Sequence, residues 1–206
     1  MISLLKIHFY LSRKLLFTAF LFIIGLIAIQ WVILREINLG FVTIYFISLT
    51  PVLSISYLLE NHFIRKFRVM PIAPKDFVKS LFIFSLLQIL IILLPIGIYQ
   101  TIIYSDNQIE AFELSFIVIF FTAGIASIGS MLKNYLSNPS QGTKSISIWS
   151  IIGYLFIFTI VHFFIMLIFS IMDIKLMGAI FLPIIGLIVY YQYYKTAVTK
   201  FKTAEF

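Results

Sequence analysis

Residues Ser145–Met172 read SISIWSIIGYLFIFTIVHFFIMLIFSIM, a stretch with no Asp, Glu, Lys or Arg. An α-helix needs about 20 apolar residues to cross roughly 30 Å of hydrocarbon, and this run exceeds that. In lipid every backbone amide must be satisfied within its own segment, so a helix is the expected form. A barrel strand would alternate polar and apolar residues, and this run does not. As one straight helix it would be about 40 Å long, so it must tilt, protrude or break.

Five more runs of the same character lie on either side, at about Leu15–Leu34, Phe41–Leu59, Ser80–Tyr104, Leu114–Leu132 and Leu176–Tyr194. With 62% hydrophobic and 11% charged residues, and a mean hydropathy of +1.09, the chain is far more apolar than a water-soluble domain. The expectation is an all-α integral membrane protein, one transmembrane domain over residues 1–206 with six membrane-spanning helices. The chain has no cysteine, which removes disulfides, thiol catalysis and thiolate metal sites.

The net charge of +7 could suggest nucleic acid, but its distribution argues otherwise. Lys6, Arg13 and Lys14; Arg65, Lys66, Arg68, Lys75 and Lys79; Lys133 and Lys144; and Lys195, Lys200 and Lys202 all fall in breaks on one side of the predicted topology. Arg35 and Lys175 fall on the other, with Glu36, Asp106, Glu110, Glu113 and Asp173. The excess of Lys and Arg on cytoplasmic loops makes the first side cytoplasmic, and an even number of spans puts Met1 and Phe206 there too. Trp31, Tyr104, Trp149 and the cluster Tyr190, Tyr191, Tyr193 and Tyr194 are placed for interfacial belts. Met1–Lys14 lacks the form of a signal peptide and is expected as an N-terminal amphipathic helix on the cytoplasmic surface.

Catalytic patterns are missing. Gly142-Thr143-Lys144-Ser145 resembles only the tail of a phosphate-binding loop, so the chain is not expected to hydrolyse nucleotide alone. No paired histidines or carboxylates fall within a run to hold a metal, and no serine has a histidine and carboxylate at readable spacing. No catalytic residue, metal site or cofactor is expected. The ionisable side chain at depth is His162, joined by polar Gln88; as pathway residues they could contact a substrate or relay a proton, and otherwise they hydrogen-bond a neighbouring helix. Thr122, Ala126 and Ser130 recur every four residues, a spacing at which small side chains let two helices approach closely, within one bundle or between subunits. Pro51, Pro95 and Pro183 each remove an amide donor inside a run.

The longest connection is the basic segment Glu60–Ser80, ENHFIRKFRVMPIAPKDFVKS. Phe63, Phe67 and Met70 share one helical face while Arg65, Lys66 and Arg68 fall largely on another. Pro71 ends this short helix, and Pro74 with Asp76 in the first turn starts the next. On these grounds alone the short helix could lie on anionic membrane lipid.

Here the chain resembles the permease subunits of type-2 ABC exporters. They carry a glutamate after the second span, a basic stretch, and a Leu-Pro-Val/Ile-Ser/Pro-Arg/Lys turn into the third. Glu60, Arg65, Arg68 and Met70-Pro71-Ile72-Ala73-Pro74-Lys75 stand in those places. The plan of a surface helix, six spans and inside termini agrees over the whole chain, and its small size is similar to Gram-positive phenol-soluble modulin and lantibiotic-type peptide exporters. The resemblance implies a pathway built by two permease chains, identical or different, with a separate ATP-binding subunit docked on a cytoplasmic coupling helix. That helix would be Glu60–Met70, followed by Pro71. Relatives carry re-entrant helices between the fifth and sixth spans, whereas Asp173-Ile174-Lys175 leaves no room for them. A break in the fifth run at Thr159–His162 would restore the pattern.

The expected function is therefore a non-enzymatic permease subunit in a bacterial plasma membrane, exporting a hydrophobic or amphipathic peptide or lipid-like substrate. Its expected partners are the ATPase, a second permease chain and lipid, without nucleic acid. The alternative is a non-transporting membrane partner, such as an immunity or sensor protein; a small intramembrane enzyme has no residues to support it. Substrate identity does not follow from the residues.

Overall fold

The computed structural model describes residues 2–34, 50, 51, 54, 72–103, 111–137, 148–172 and 175–203. Among them the chain is all helical: α1 Ile2–Leu34, α2 Pro74–Ile103, α3 Ala111–Ser137, α4 Ile148–Ile171 and α5 Lys175–Thr203. The helices contain 33, 30, 27, 24 and 29 residues, so even α4 extends about 36 Å. Over the residues whose side chains are described, no helix is long and apolar enough to cross a membrane. The described part of α1 carries Lys6, Arg13 and Lys14, and that of α2 carries Lys75, Asp76 and Lys79.

The helix directions follow from side-chain pairs. Phe77 meets Phe201, Phe82 meets Tyr194, and Ser85 meets Tyr190, so α2 and α5 are antiparallel. Thr122 lies against Gly186 and Gly129 against Tyr190 and Tyr193, so α3 and α5 run in the same direction. Ile165 and Met166, late in α4, join Val118 and Ile119 of early α3 and Leu182 of early α5. The chain thus passes up and down the bundle through α2, α3, α4 and α5. The α3–α5 contact is the most extensive, and α1 joins through α2.

The start of α2 is as the proline pattern predicts. Pro74 opens the helix with Asp76 in its first turn, and the Asp76 and Phe77 amides donate to Ala73 O at 2.9 and 3.2 Å.

Two expectations are corrected. The separate N-terminal surface helix and the first run are one continuous helix, α1. No proline or glycine precedes Gly25 to stop it, and Leu4, His8 and Ser12, one turn apart, are buried as a stripe rather than laid on a surface. The break proposed at Thr159–His162 does not occur, because α4 is helical throughout Ile148–Ile171. Thr-Ile-Val-His contains neither proline nor glycine, and β-branched side chains lower helix propensity without ending a helix. The run at 41–59 lies outside the described residues except for Thr50, Pro51 and Ser54, all buried.

Candidate functional site

The bundle has one strongly basic end. α2 starts there with Lys75 and Lys79, α3 finishes there with Lys133, and α5 finishes there with Lys195, Lys200 and Lys202. The His8–Ser80 contact brings the first turns of α1, with Lys6, Arg13 and Lys14, to the same end. Glu113 and Lys175 stand near the starts of α3 and α5, at the other end.

The inner wall of this end is aromatic. His8 stacks near Phe84 at 5.4 Å and Phe77 at 6.4 Å, while Phe9 meets Phe84 edge-on at 4.9 Å. Ser80 donates its single hydroxyl proton to Phe77 O at 2.8 Å, which leaves His8 Nε2–H as the donor to Ser80 Oγ at 2.9 Å. Ser12 closes the group by donating to His8 O at 2.7 Å. Burial disfavours the charged imidazole and lowers the His8 pKa from 6.5 to about 4.

Between these two values the unfolded chain takes up a proton that the folded chain refuses. The His8 contribution to stability is therefore flat above pH 6.5, falls as pH drops, and is fully lost below about 4. At about 1.4 kcal/mol per pKa unit the full loss is about 3 kcal/mol. The thermal midpoint of the purified chain should drop between pH 7 and 4.5 by more than that of His8→Gln. Parallel curves for the two proteins would show that His8 is not held neutral by the fold.

A second polar group lies further along α2. Tyr190 Oη reaches from α5 to donate to Phe82 O at 2.6 Å, and it lies 2.7 Å from Ser85 Oγ. Ser85 also reaches Leu81 O and Phe82 O at 3.0 Å. The tyrosine read from sequence as an interfacial belt residue is thus a buried cross-link between α2 and α5, while Tyr191 is exposed. Its ring fits because Gly129 of α3 has no side chain: a Cβ there would lie 2.7 Å from Tyr190 Cδ2 and 3.0 Å from Tyr193 Cδ2.

The remaining sequence-selected residues are placed as follows. Thr122, Ala126 and Ser130 are all buried on α3, and Thr122 abuts Gly186 of α5. Thr122 Oγ1 donates to Val118 O in its own helix at 2.7 Å. Gln88 is buried in α2 and accepts a hydrogen bond from Ser54 Oγ at 2.8 Å, which seats Ser54 beside α2. His162 is buried, and its Nδ1 meets Phe158 O one turn back in α4 at 2.5 Å. Glu60, Phe63, Arg65, Lys66, Phe67, Arg68, Met70 and Pro71 lie outside the described residues. Among the described residues no group of three or more His, Cys, Asp or Glu could hold a metal ion.

His8, Gly129 and Gly186 were not singled out by the sequence reading, and Tyr190 was read only as an interfacial belt residue. The four-residue spacing of Leu4, His8 and Ser12 is the one local signal that could have indicated the first.

Apolar side chains fill the core, with Leu81, Phe84, Ile125 and Leu132 buried, and polar side chains share that interior while large apolar ones also cover the outside. Ser80, Ser85, Gln88, Thr122, Ser127 and Ser130 are buried, whereas Phe17 is 63%, Phe156 65% and Ile168 56% exposed. Exposed large apolar residues continue along α1, α4 and α5.

No protein-family model, curated protein or solved structure matches the chain.

Proposed function

We propose that the chain is the six-span permease subunit of a type-2 ABC exporter in a bacterial plasma membrane. In this reading it carries a hydrophobic or amphipathic substrate, driven by a separate ATPase subunit. The observation that carries the membrane part is the run of exposed large apolar side chains along α1, α4 and α5, around an interior that also holds serine, threonine and glutamine. A folded monomer in water rarely leaves continuous apolar surface while burying serine, threonine and glutamine. In lipid that arrangement is the favourable one, because hydrocarbon meets hydrocarbon, and buried hydroxyls such as those of Ser80, Ser85 and Thr122 bond backbone carbonyls inside.

Further support comes from charge and helix direction. Basic residues gather at one end of helices that alternate in direction, as the cytoplasmic bias of Lys and Arg requires. Over whole helices the apolar content is also sufficient: α4 contains no charged residue in its 24 positions. The permease part rests on the resemblance of Glu60–Lys79.

Single cysteines in this cysteine-free chain test the orientation. Asn107→Cys should react with an impermeant thiol reagent in intact cells, and Ser137→Cys only after permeabilisation. The reverse pattern overturns the orientation, and equal reaction of both in intact cells overturns the membrane reading. The permease part depends on capture of an ATP-hydrolysing subunit through residues 60–70.

A further inference from the structure

The basic end carries a chemistry that subunit docking does not use. The Arg13 guanidinium lies 4.2 Å from the centre of the Tyr10 ring, Lys195 Nζ 4.9 Å from Tyr191, and Lys133 Nζ 5.4 Å from Tyr193. Arg13, Lys195, Tyr10 and Tyr191 are all exposed, so these cations are held at rings that themselves face outward. Tyrosine with one apolar face and one polar tip suits the boundary between an apolar and a wet layer. Immediately beyond, α1 exposes Phe17, Phe20 and Leu21, and α5 exposes Ile184, Leu187 and Ile188. A cationic ring with tyrosines along its edge therefore borders an apolar belt on two helices.

We propose that this ring binds anionic phospholipid headgroups and selects them over zwitterionic ones. The inference rests on the membrane reading above and adds to it a preferred lipid class. Both halves of such a lipid have a counterpart here: the phosphate meets Lys and Arg, and the acyl chains cover the adjoining belt. Free phosphate or a nucleic acid would satisfy the charge and leave the belt against water. Asp76 is the acidic side chain at this end among the described residues, so the field there is strongly positive. Each basic residue near an anionic surface adds roughly fivefold to binding, and such steps accumulate over a cluster.

The experiment uses the full chain in neutral detergent micelles doped equally with phosphatidylglycerol and phosphatidylcholine, with retained lipid counted by native mass spectrometry. Retention should favour phosphatidylglycerol by at least about tenfold. The quadruple variant Lys6→Gln/Lys14→Gln/Lys195→Gln/Lys202→Gln changes exposed side chains only, and should fall to near parity while keeping its helix content and thermal midpoint. Equal retention of the two lipids by the unaltered chain overturns the proposal. So does an unchanged preference in the variant, or displacement of the lipid by millimolar inorganic phosphate. Insertion into neutral vesicles separates this from the membrane reading. A chain that inserts without lipid preference overturns the lipid selectivity alone, and one that stays out of the vesicles overturns both.

Discussion

Gly186→Leu should lower the thermal midpoint of the purified chain by about 10 °C or more, the largest effect expected of any single change in α5. A Cβ at Gly186 would lie 2.5 Å from Thr122 Cγ2 and 3.5 Å from Thr122 Cα and Cβ. Thr122 cannot swing away freely, since its Oγ1 is bonded to Val118 O and the residue is fully buried. The remaining relief is to separate α3 from α5. Overpacking of this kind costs typically 1–3 kcal/mol, and the Tyr190 bonds to Phe82 and Ser85 hold α5 to α2, which limits how far it can shift away from α3. A loss of about 3 kcal/mol corresponds to roughly 10 °C in a chain of this size. Gly25→Leu is the internal control, because among the described residues nothing lies within 4 Å of a Cβ there. Should both variants melt with the unaltered chain, the close approach of α3 and α5 is wrong.

The same contact explains what the sequence could and could not reveal. Small residues at Thr122, Ala126 and Ser130 mark the α3 face by spacing alone, because the need for closeness repeats with the helix turn. The partner on α5 has no such repeat: Leu182 and Tyr190 stand one turn either side of Gly186, and the residues matching Gly186 and Tyr190 lie more than fifty positions away. Tyr190 sits in a tyrosine cluster whose other members are at least partly exposed, so composition pointed to an interface and missed its buried bond. His8–Ser80 is a similar case, with donor and acceptor 72 positions apart.

Boundaries were legible where local chemistry sets them. Pro74 and Asp76 fix the start of α2 through the Ala73 carbonyl. They were not legible where charge was taken as a break. Lys6, Arg13 and Lys14 interrupt the hydrophobic pattern of α1 without interrupting its backbone, because basic side chains are good helix formers. α3 and α5 likewise run beyond their apolar stretches, to Ser137 and Thr203, carrying Lys133, Lys195, Lys200 and Lys202 on helical turns. Among the described residues the basic end is therefore a set of helix ends, which holds those charges in fixed relation to one another.

If Glu60–Met70 docks an ATPase as proposed, Phe63→Ala combined with Phe67→Ala should release that subunit and abolish substrate-linked ATP hydrolysis, while the chain still inserts normally. Phe63, Phe67 and Met70 are spaced to share one face of a short helix, with Arg65, Lys66 and Arg68 largely on another. A helix presenting aromatic anchors to a groove draws most of its affinity from them, and truncating one such anchor commonly costs 2 kcal/mol or more. That is about thirtyfold in affinity for one anchor, and loss of both should leave no complex through purification. Charges at the rim act differently: they steer the encounter and weaken with salt. Lys66→Glu should accordingly weaken capture modestly, and more at low salt than at high. A segment held by lipid alone gives the opposite pattern, with no ATPase to lose and a dependence on anionic lipid content. The measurement is co-purification of the ATPase with each variant, alongside ATP hydrolysis in reconstituted vesicles. A double alanine variant that keeps its ATPase bound and its transport intact would remove Glu60–Met70 as the docking element, and with it the residue-level ground for the permease assignment.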